Sequence, residues 1–156
     1  LRSAHSPTST TMSIQECKVV TDIAGLIPQR PPIAMVDRFE YIDQRNCRSS
    51  LNILPGNMFL DDAGNMVQEG YLEHIAQSAA AYIGYCRLLE GKKVALGYIG
   101  DIRKCKFSGN VAKEGGVLST AVKIVSTVGG ITMISATTSD ENGEILNCSM
   151  KLAVDE

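Results

Sequence analysis

The sequence lacks tryptophan, has few histidines and contains no long apolar run, and each absence excludes a class of function. Aromatic residues make up 5% of its 156 residues, and its two histidines are His5 and His74. Its 15 basic residues do not exceed its 17 acidic ones, so no cationic surplus is available to neutralise nucleic-acid phosphates. No window approaches the roughly 18 apolar residues of a membrane-spanning helix, and the first residues form no apolar signal-peptide core. We therefore expect neither nucleic acid nor a membrane as a partner.

Paired cysteines are also missing. The five cysteines are Cys17, Cys47, Cys86, Cys105 and Cys148, an odd number with no CxxC pair. A chain of this length can bury a core without cross-links, so we expect reduced thiols in a cytoplasmic protein. With two histidines and no cysteine pair, we expect no metal site and no cofactor.

The composition predicts one folded domain behind a short polar arm. Hydrophobic residues make up 44% and charged residues 21%, which is ordinary for a globular domain. Residues 1–12 are polar and rich in Ser and Thr, and Met12 is a plausible natural start. We expect 1–12 to be a disordered tag or arm, and 13–156 to form a single domain.

Two strands are predicted before the middle of the chain. The adjacent prolines Pro31 and Pro32 exclude a helix and favour an extended entry. The first strand covers 33–43, and the second covers 47–54, where Pro55-Gly56 begins a turn. The inward face of the first strand would carry Ile33, Met35, Phe39 and Tyr41. The inward face of the second strand would carry Cys47, Leu51 and Ile53, and Ser50 would face outward.

One long helix is predicted over 69–90. Apolar residues recur there at helical spacing, and Gly91 is a suitable C-terminal cap. Small residues between Ala76 and Gly84 would let a neighbouring sheet approach the helix closely, so we expect the helix to be surrounded. Gln77 is expected to hydrogen-bond the backbone of a neighbouring segment.

Every segment after the helix has the pattern of a strand. Residues 94–107 form one strand, with a possible break at Gly97 or Gly100, and Gly129-Gly130 and Asn142-Gly143 are hairpin turns between the next ones. The last strand alternates cleanly, with Leu146, Cys148, Met150, Leu152 and Val154 facing inward. The expected fold is α+β: an antiparallel sheet of about six strands wrapped round one long central helix.

Four segments of the sequence carry a resemblance to a known family. They are Ile27-Pro28-Gln29-Arg30-Pro31-Pro32, Leu72-Glu73-His74-Ile75-Ala76-Gln77, Gly100-Asp101-Ile102 and Gly115-Gly116-Val117. Their order resembles the beta-hydroxyacyl-ACP dehydratases of the FabZ/FabA type, which have the hotdog fold. Met58-Phe59-Leu60-Asp61-Asp62-Ala63-Gly64 is similar to the dehydratase-like branch associated with aryl-polyene synthesis.

The resemblance implies dehydration of 3-hydroxyacyl thioesters held on acyl carrier protein, in fatty-acid or polyene-type synthesis. Glu73 matches the catalytic helix carboxylate of the family. The reaction needs a base for the C2 proton, an acid for the C3 hydroxyl and N–H donors for the thioester oxygen. The helix start would supply those donors near Gln68 and Glu69. Phe59, Asp62 and Gly100 complete the expected substrate contacts.

The resemblance is incomplete at its catalytic histidine. That histidine would fall near Phe59, but residues 55–65 contain no histidine, and Gln29 and Val67-Gln68 replace other family residues. His74 cannot replace it, because adjacent helix residues diverge by about 100° and would not face one cavity. We expect His74 to be a core, surface or dimer-contact residue.

Several residues have a structural interpretation beside the functional one. Glu73 would also suit a helix dipole, and Asp61 and Asp62 would suit a turn as well as a stand-in for the missing histidine. Gly100 marks either a bulge or a point where the thioester approaches the backbone. Arg103, Lys104 and Lys106 either attract an acidic carrier protein or form a solvated strand face.

Two other functions are compatible with a hotdog protein that lacks the catalytic histidine of the family. One is a hotdog acyl thioesterase that uses Glu73, and the other is a non-catalytic acyl-binding or dimer partner of an active relative. Because open sheet edges are often closed by pairing two subunits, we expect a homodimer or dimer-based oligomer, with a heterodimer as the variant. The sequence leaves open the acyl chain length and the choice between carrier protein and CoA.

Overall fold

The computed structural model describes residues 34–92 and 96–155, which contain one helix and six strands. The strands are β1 (Arg38–Ile42), β2 (Asn46–Asn52), β3 (Leu96–Phe107), β4 (Val117–Val128), β5 (Ile131–Asp140) and β6 (Gly143–Asp155), and the helix is α1 (Gln68–Leu89). All strands pair antiparallel in one sheet of order β1-β2-β4-β5-β6-β3. The predicted α+β architecture is confirmed, while the predicted arm at 1–12 lies outside the described residues.

Helix α1 begins and ends within one residue of its predicted limits. Its end is fixed by Gly91, which adopts a φ of +77° and donates its N–H to the Leu88 carbonyl oxygen. Such a left-handed residue favours glycine, because a side chain would be strained there. Among the described residues, no helix is both long enough and apolar enough to cross a membrane.

The sheet covers most of the circumference of α1 but leaves one strip half open. The buried side includes Tyr71, Ile75, Ala79 and Tyr82, which pack into the core. The opposite strip is only partly buried; we call it the open strip, and it consists of Leu72, Glu73, Ala76, Ala80 and Ile83. The predicted sheet wrapped round the helix is confirmed, and this strip is the least buried side of the helix.

The predicted inward face of the first strand contains one error. Met35 and Phe39 are buried as predicted, and Ile33 lies outside the described residues. The pairing of β1 with β2 is irregular between Phe39 and Tyr41. Past this point Ile42 is fully buried and Tyr41 is half-buried, so the inward assignment of Tyr41 is wrong. One extra residue in a strand reverses the side on which the following residues point.

The second strand is shorter than predicted and buries an unexpected serine. Cys47 and Leu51 face the core as predicted, but β2 ends at Asn52, before Leu54, which is 65% exposed. Ser50 is buried, although we expected it to face outward. Its hydroxyl donates to a Glu40 carboxylate oxygen 2.9 Å away, which makes the burial of this polar side chain tolerable.

The later strands follow the prediction closely. Leu146, Cys148, Met150 and Leu152 of β6 are buried in alternation with half-buried neighbours. Both predicted hairpin turns are present, between β4 and β5 and between β5 and β6. The start of the predicted 94–107 strand lies outside the described residues, and β3 is described from Leu96 onward.

The described cysteines are all free thiols. Cys47 and Cys148 are buried, Cys86 is half-buried and Cys105 is exposed, while Cys17 lies outside the described residues. In the described part of the chain, no cluster of His, Cys, Asp and Glu is arranged to hold a metal ion.

Candidate active site

The loop before α1 folds back onto the start of the helix. The Val67 N–H donates to the Phe59 carbonyl oxygen at 2.9 Å, and Leu60 and Met66 form an isolated antiparallel bridge. The Met66 N–H in turn donates to the Ala112 carbonyl oxygen at 2.9 Å. These bonds hold the backbone of Phe59 against the first turn of the helix.

Gly70 permits this close approach. A Cβ atom at Gly70 would lie 2.8 Å from both the Phe59 Cβ and the Met66 Cγ, closer than real Cβ contacts allow. The sequence analysis overlooked this residue. The sequence did contain a signal for it, namely a glycine inside a helical pattern. Alanine stabilises a helix by about 1 kcal/mol relative to glycine, so a glycine there suggests that packing requires it.

Phe59, in the loop before α1, lies against the helix one turn before Glu73. Phe59 is half-buried and touches the helix at Gly70, three residues before Glu73. Glu73 is half-buried on the open strip. The loop position where the resemblance would place histidine thus lies against the helix at Gly70, and its proximity to the Glu73 carboxylate stays a prediction. A phenyl ring at that position can contact an acyl chain, but it cannot transfer a proton.

The predicted N–H donors lie at an uncapped helix start. Val67 is extended, with φ −80° and ψ 161°, and its side chain makes no capping hydrogen bond. The Gly70 N–H bonds to the Val67 carbonyl oxygen, and the side chains of Gln68 and Glu69 are exposed. A helix N-terminus of this kind favours an oxygen that carries negative charge. The roles of Gln68 and Glu69 toward substrate stay predictions.

His74 is a core residue. It is fully buried, and its Nδ1 lies 2.6 Å from the Met35 carbonyl oxygen. Because a carbonyl oxygen only accepts, Nδ1 carries the hydrogen and donates it. Burial lowers the pKa of His74 to about 4, so the ring is neutral at pH 7. Its Nε2 is buried without a partner among the described residues.

Gln77 has the structural role that the sequence predicts. Its Oε1 accepts the Met35 N–H at 2.6 Å, one helical turn beyond His74. The two side chains thus bond both polar groups of Met35 and fix residues 34–37 on the buried side of α1. This anchoring is separate from the open strip on which Glu73 lies.

The two acidic loop residues differ: Asp61 hydrogen-bonds the backbone of its own turn, and Asp62 is exposed to solvent. The Asp61 Oδ1 accepts the N–H groups of Ala63 and Asn65, both at 2.9 Å. Asp61 therefore stabilises the turn, which supports its structural interpretation. Asp62 is exposed beside it, and its contact with substrate stays a prediction.

Gly100 lies at a bulge in β3. The pairing of β3 with β6 is irregular between Ile99 and Asp101, and Gly100 is the residue between them. This supports the bulge interpretation, and an approach of the thioester to Gly100 stays a prediction. Farther along the same strand, Arg103, Lys104 and Lys106 are exposed.

Two cavities lined by described residues lie away from Glu73. One of about 630 Å³ adjoins the C-terminal end of α1, where Ile83, Cys86 and Leu89 face Ile124 and Thr132. The other, of about 300 Å³, lies between residues 111–116 and 140–142. An apolar slot beside Glu73 therefore stays a prediction.

Two sequence comparisons match this chain to dehydratases. The family described as ApeP-like, ApeP dehydratase, matches residues 21–155. A 3-hydroxyacyl-[acyl-carrier-protein] dehydratase FabZ of Natranaerobius thermophilus is 32% identical over 121 residues, which cover 73% of this chain and 81% of the relative.

Solved structures share the fold at low identity. The dehydratase heterocomplex ApeI:P from Xenorhabdus doucetiae matches with a TM-score of 0.78 and 12% identity, covering 86% of this chain and 91% of that chain. A hypothetical thioesterase with coenzyme A from Streptococcus pneumoniae matches with a TM-score of 0.58 and 12% identity, covering 75% of this chain and 84% of that one. At 12% identity, both similarities show a shared fold and nothing more. The match to a thioesterase therefore does not support the thioesterase alternative.

The long helix and the antiparallel sheet of the described residues, together with these neighbours, define a protein of the hotdog-fold class. Within that class, the chain belongs to the ApeP-like dehydratase family. The predicted resemblance to FabZ-type dehydratases of aryl-polyene synthesis is confirmed.

Proposed function

We propose that this protein dehydrates 3-hydroxyacyl chains held as thioesters on acyl carrier protein, in fatty-acid or polyene-type synthesis. The match to the ApeP-like dehydratase family over residues 21–155 carries the proposal. A relative named as a 3-hydroxyacyl-[acyl-carrier-protein] dehydratase supports the substrate class.

Glu73 is the proposed base. Its carboxylate takes the C2 proton, and the thioester oxygen gains negative charge as an enolate forms between C1 and C2. The N–H groups of Gln68 and Glu69, at the uncapped helix start, are suited to stabilise that charge. The C3–O bond then breaks, and the hydroxyl leaves as water after it receives a proton from an acid.

The acid is proposed to come from a partner subunit. Within the described residues, the loop beside the helix carries Phe59, and the one histidine, His74, is buried and neutral. Glu73 therefore has no imidazole beside it in the described part of its own chain. A second hotdog subunit that presents an acid next to Glu73 would complete the pair.

Two features favour such a dimer. Leu72, Ala76 and Ile83 of the open strip are only partly buried and so keep some apolar surface exposed. Strand β3 lies at the end of the sheet order and is hydrogen-bonded to one neighbour, β6. Association would cover the apolar surface and pair the free edge. A heterodimer is the favoured form, since a structural neighbour is a dehydratase heterocomplex.

The exposed cations of β3 are the proposed docking surface for the carrier protein. Arg103, Lys104 and Lys106 lie within a few residues of Gly100 on the same strand. Acyl carrier proteins are acidic, so this row would speed their encounter and make it depend on salt.

The function is tested by mass spectrometry of a 3-hydroxyacyl carrier protein incubated with the protein, alone and with a co-expressed hotdog partner. We expect the acyl chain to lose one water. Glu73→Gln should slow this loss by about 100-fold or more, the usual contribution of a general base. Glu90→Gln, a matched change at the opposite end of α1, should leave the rate unchanged.

The other outcomes separate the alternatives. Release of free acid would indicate a thioesterase and contradict the proposal. Water loss that requires the partner but is unaffected by Glu73→Gln would assign this chain a non-catalytic role. Native mass spectrometry of the same samples reports whether the active species is a homodimer or a heterodimer.

A further inference from the structure

Cys105 and Cys148 face each other across an irregularity in the sheet. In the ladder between β3 and β6, Arg103 pairs with Ser149 and Lys106 pairs with Asn147. Two residues of β3 therefore oppose the single residue Cys148, which is the arrangement of a β-bulge. The second residue of such a bulge points to the same side of the sheet as the residue opposite it. The bulge thus places the Cys105 side chain on the side of Cys148.

The backbone of this bulge is unusual. Lys104 has a φ of +56°, and it is the one residue other than glycine with a positive φ among the described residues. The left-handed conformation is strained for a residue with a side chain. The rest of the structure must hold this conformation in place, and its local consequence is the meeting of the two cysteines.

The two thiols are neighbours but differ in exposure. After burial, the Cys105 thiol is the neighbouring group that raises the pKa of Cys148, and both cysteines are free. Cys105 is exposed, whereas Cys148 is 3% exposed. One thiol can therefore meet a dissolved oxidant, while the other is sheltered directly behind it.

We propose that Cys105 and Cys148 form a reversible redox-modification site, at which a hydroperoxide produces an intramolecular disulfide between β3 and β6. Hydrogen peroxide first oxidises the exposed Cys105 to a sulfenic acid, and its O–O bond breaks with release of one water. The Cys148 sulfur then attacks the Cys105 sulfur, the S–O bond breaks and a second water leaves. The two sulfurs lose two electrons in total, which the peroxide gains. A small thiol reverses the reaction by exchange.

The environment of Cys148 sets the order of these steps. Burial and the neighbouring Cys105 raise the pKa of Cys148 to about 12, so it stays a thiol at neutral pH. A buried thiol reacts slowly with peroxide, because the thiolate is the reactive form. Cys105 therefore reacts first, and Cys148 attacks its sulfenic acid because it lies opposite it in the bulge, where proximity offsets its low thiolate fraction.

The disulfide would link the outermost strand to its neighbour where their hydrogen-bonded ladder is interrupted. β3 is paired on one side within the described sheet, and it carries both the Gly100 bulge and the cationic row. Oxidation would therefore fix the strand proposed to receive the carrier protein. The disulfide itself rests on the geometry of the two cysteines and not on the proposed function.

The test treats the reduced full-length protein with hydrogen peroxide, then alkylates remaining thiols and maps peptides by mass spectrometry without reduction. We expect one cross-linked peptide pair that joins Cys105 to Cys148, two fewer thiols than the five of the reduced chain, and reversal by dithiothreitol. Cys86→Ser, a matched change at a half-buried cysteine elsewhere, should form the same cross-link.

Two variants test the order of the steps. In Cys148→Ser, dimedone should trap a sulfenic acid at Cys105. In Cys105→Ser, a change at an exposed position that should not disturb folding, Cys148 should resist peroxide in the folded protein. A cross-link to any other cysteine, a link between chains, or overoxidation of Cys105 in the unmodified sequence without the cross-link would overturn the proposal.

Discussion

The Nδ1 atom of His74 lies 2.6 Å from the carbonyl oxygen of Met35, and this hydrogen bond joins the middle of α1 to the segment before β1. The contact spans 39 residues of sequence. It explains why the histidine next to Glu73 contributes to folding rather than to proton transfer. The side chain is buried, neutral and directed away from the open strip.

The buried neutral state of His74 makes the stability of the fold depend on pH. The pKa of His74 is about 4 in the folded protein and near 6.5 when unfolded, so the unfolded chain binds one more proton between these values. The free energy of unfolding should therefore fall as the pH drops from about 6.5 to 4, by about 2–3 kcal/mol from this residue. Urea unfolding at pH 7.5 and 4.5 measures the change. His74→Gln should reduce the difference between the two pH values, and an unchanged difference would show that another group causes it.

Removing the Gln77 side chain, whose oxygen accepts a hydrogen bond from the Met35 N–H, should destabilise the protein without altering its surface. Gln77→Ala would leave the buried Met35 N–H without its bond to Oε1, an expected loss of about 1–3 kcal/mol. Gln44→Ala, a change at an exposed glutamine, should stay within about 0.5 kcal/mol. Chemical denaturation of both variants gives the comparison. Equal stabilities would mean that the Met35 segment is not held through Gln77.

Alanine should be worse than glycine at position 70, contrary to helix propensity. An added methyl group would meet the Phe59 Cβ and the Met66 Cγ at 2.8 Å, so Gly70→Ala is expected to cost about 1–3 kcal/mol. Propensity alone would predict a gain of about 1 kcal/mol. Thermal unfolding distinguishes the two. A stabilised Gly70→Ala protein would show that the loop does not lie against the helix as described.

Tyr71 should contribute through its hydroxyl. The Ala112 N–H donates to the Tyr71 oxygen at 2.9 Å in a buried site. Tyr71→Phe keeps the packing of the ring but leaves that N–H unpaired, so we expect a loss of about 1–2 kcal/mol. Denaturant unfolding against the unmodified protein measures it. No loss would mean that water or another group satisfies Ala112.

Local patterns in the sequence predicted the fold well where the pattern was regular. The helical spacing and Gly91 located α1 within one residue at each end, and the alternation of β6 was correct at Leu146, Cys148, Met150 and Leu152. The burial of Ile42 was not predicted, because one irregular residue in β1 reverses the face of the sheet on which the following residues point. An insertion of this kind leaves no mark on the apolar pattern, since it depends on the pairing with β2.

The candidate site was predictable in its residue types but not in its contacts. The resemblance identified Glu73 and the missing histidine near Phe59 from motifs alone. The close contact of Phe59 with Gly70, the bond of Gln77 to Met35 and the meeting of Cys105 with Cys148 join distant parts of the chain. Such contacts depend on how the segments pack, and single-residue properties do not report them.

The central claim is that Glu73 removes the C2 proton of the acyl chain. Because dehydration is reversible, the assembled protein in deuterium oxide should add deuterium at C2 when it hydrates a 2-enoyl carrier protein, and mass spectrometry reads the label. The account predicts rapid labelling with the unmodified sequence. With Glu73→Gln, the labelling rate should fall by about 100-fold or more. Labelling at the same rate in the Glu73→Gln protein would contradict it.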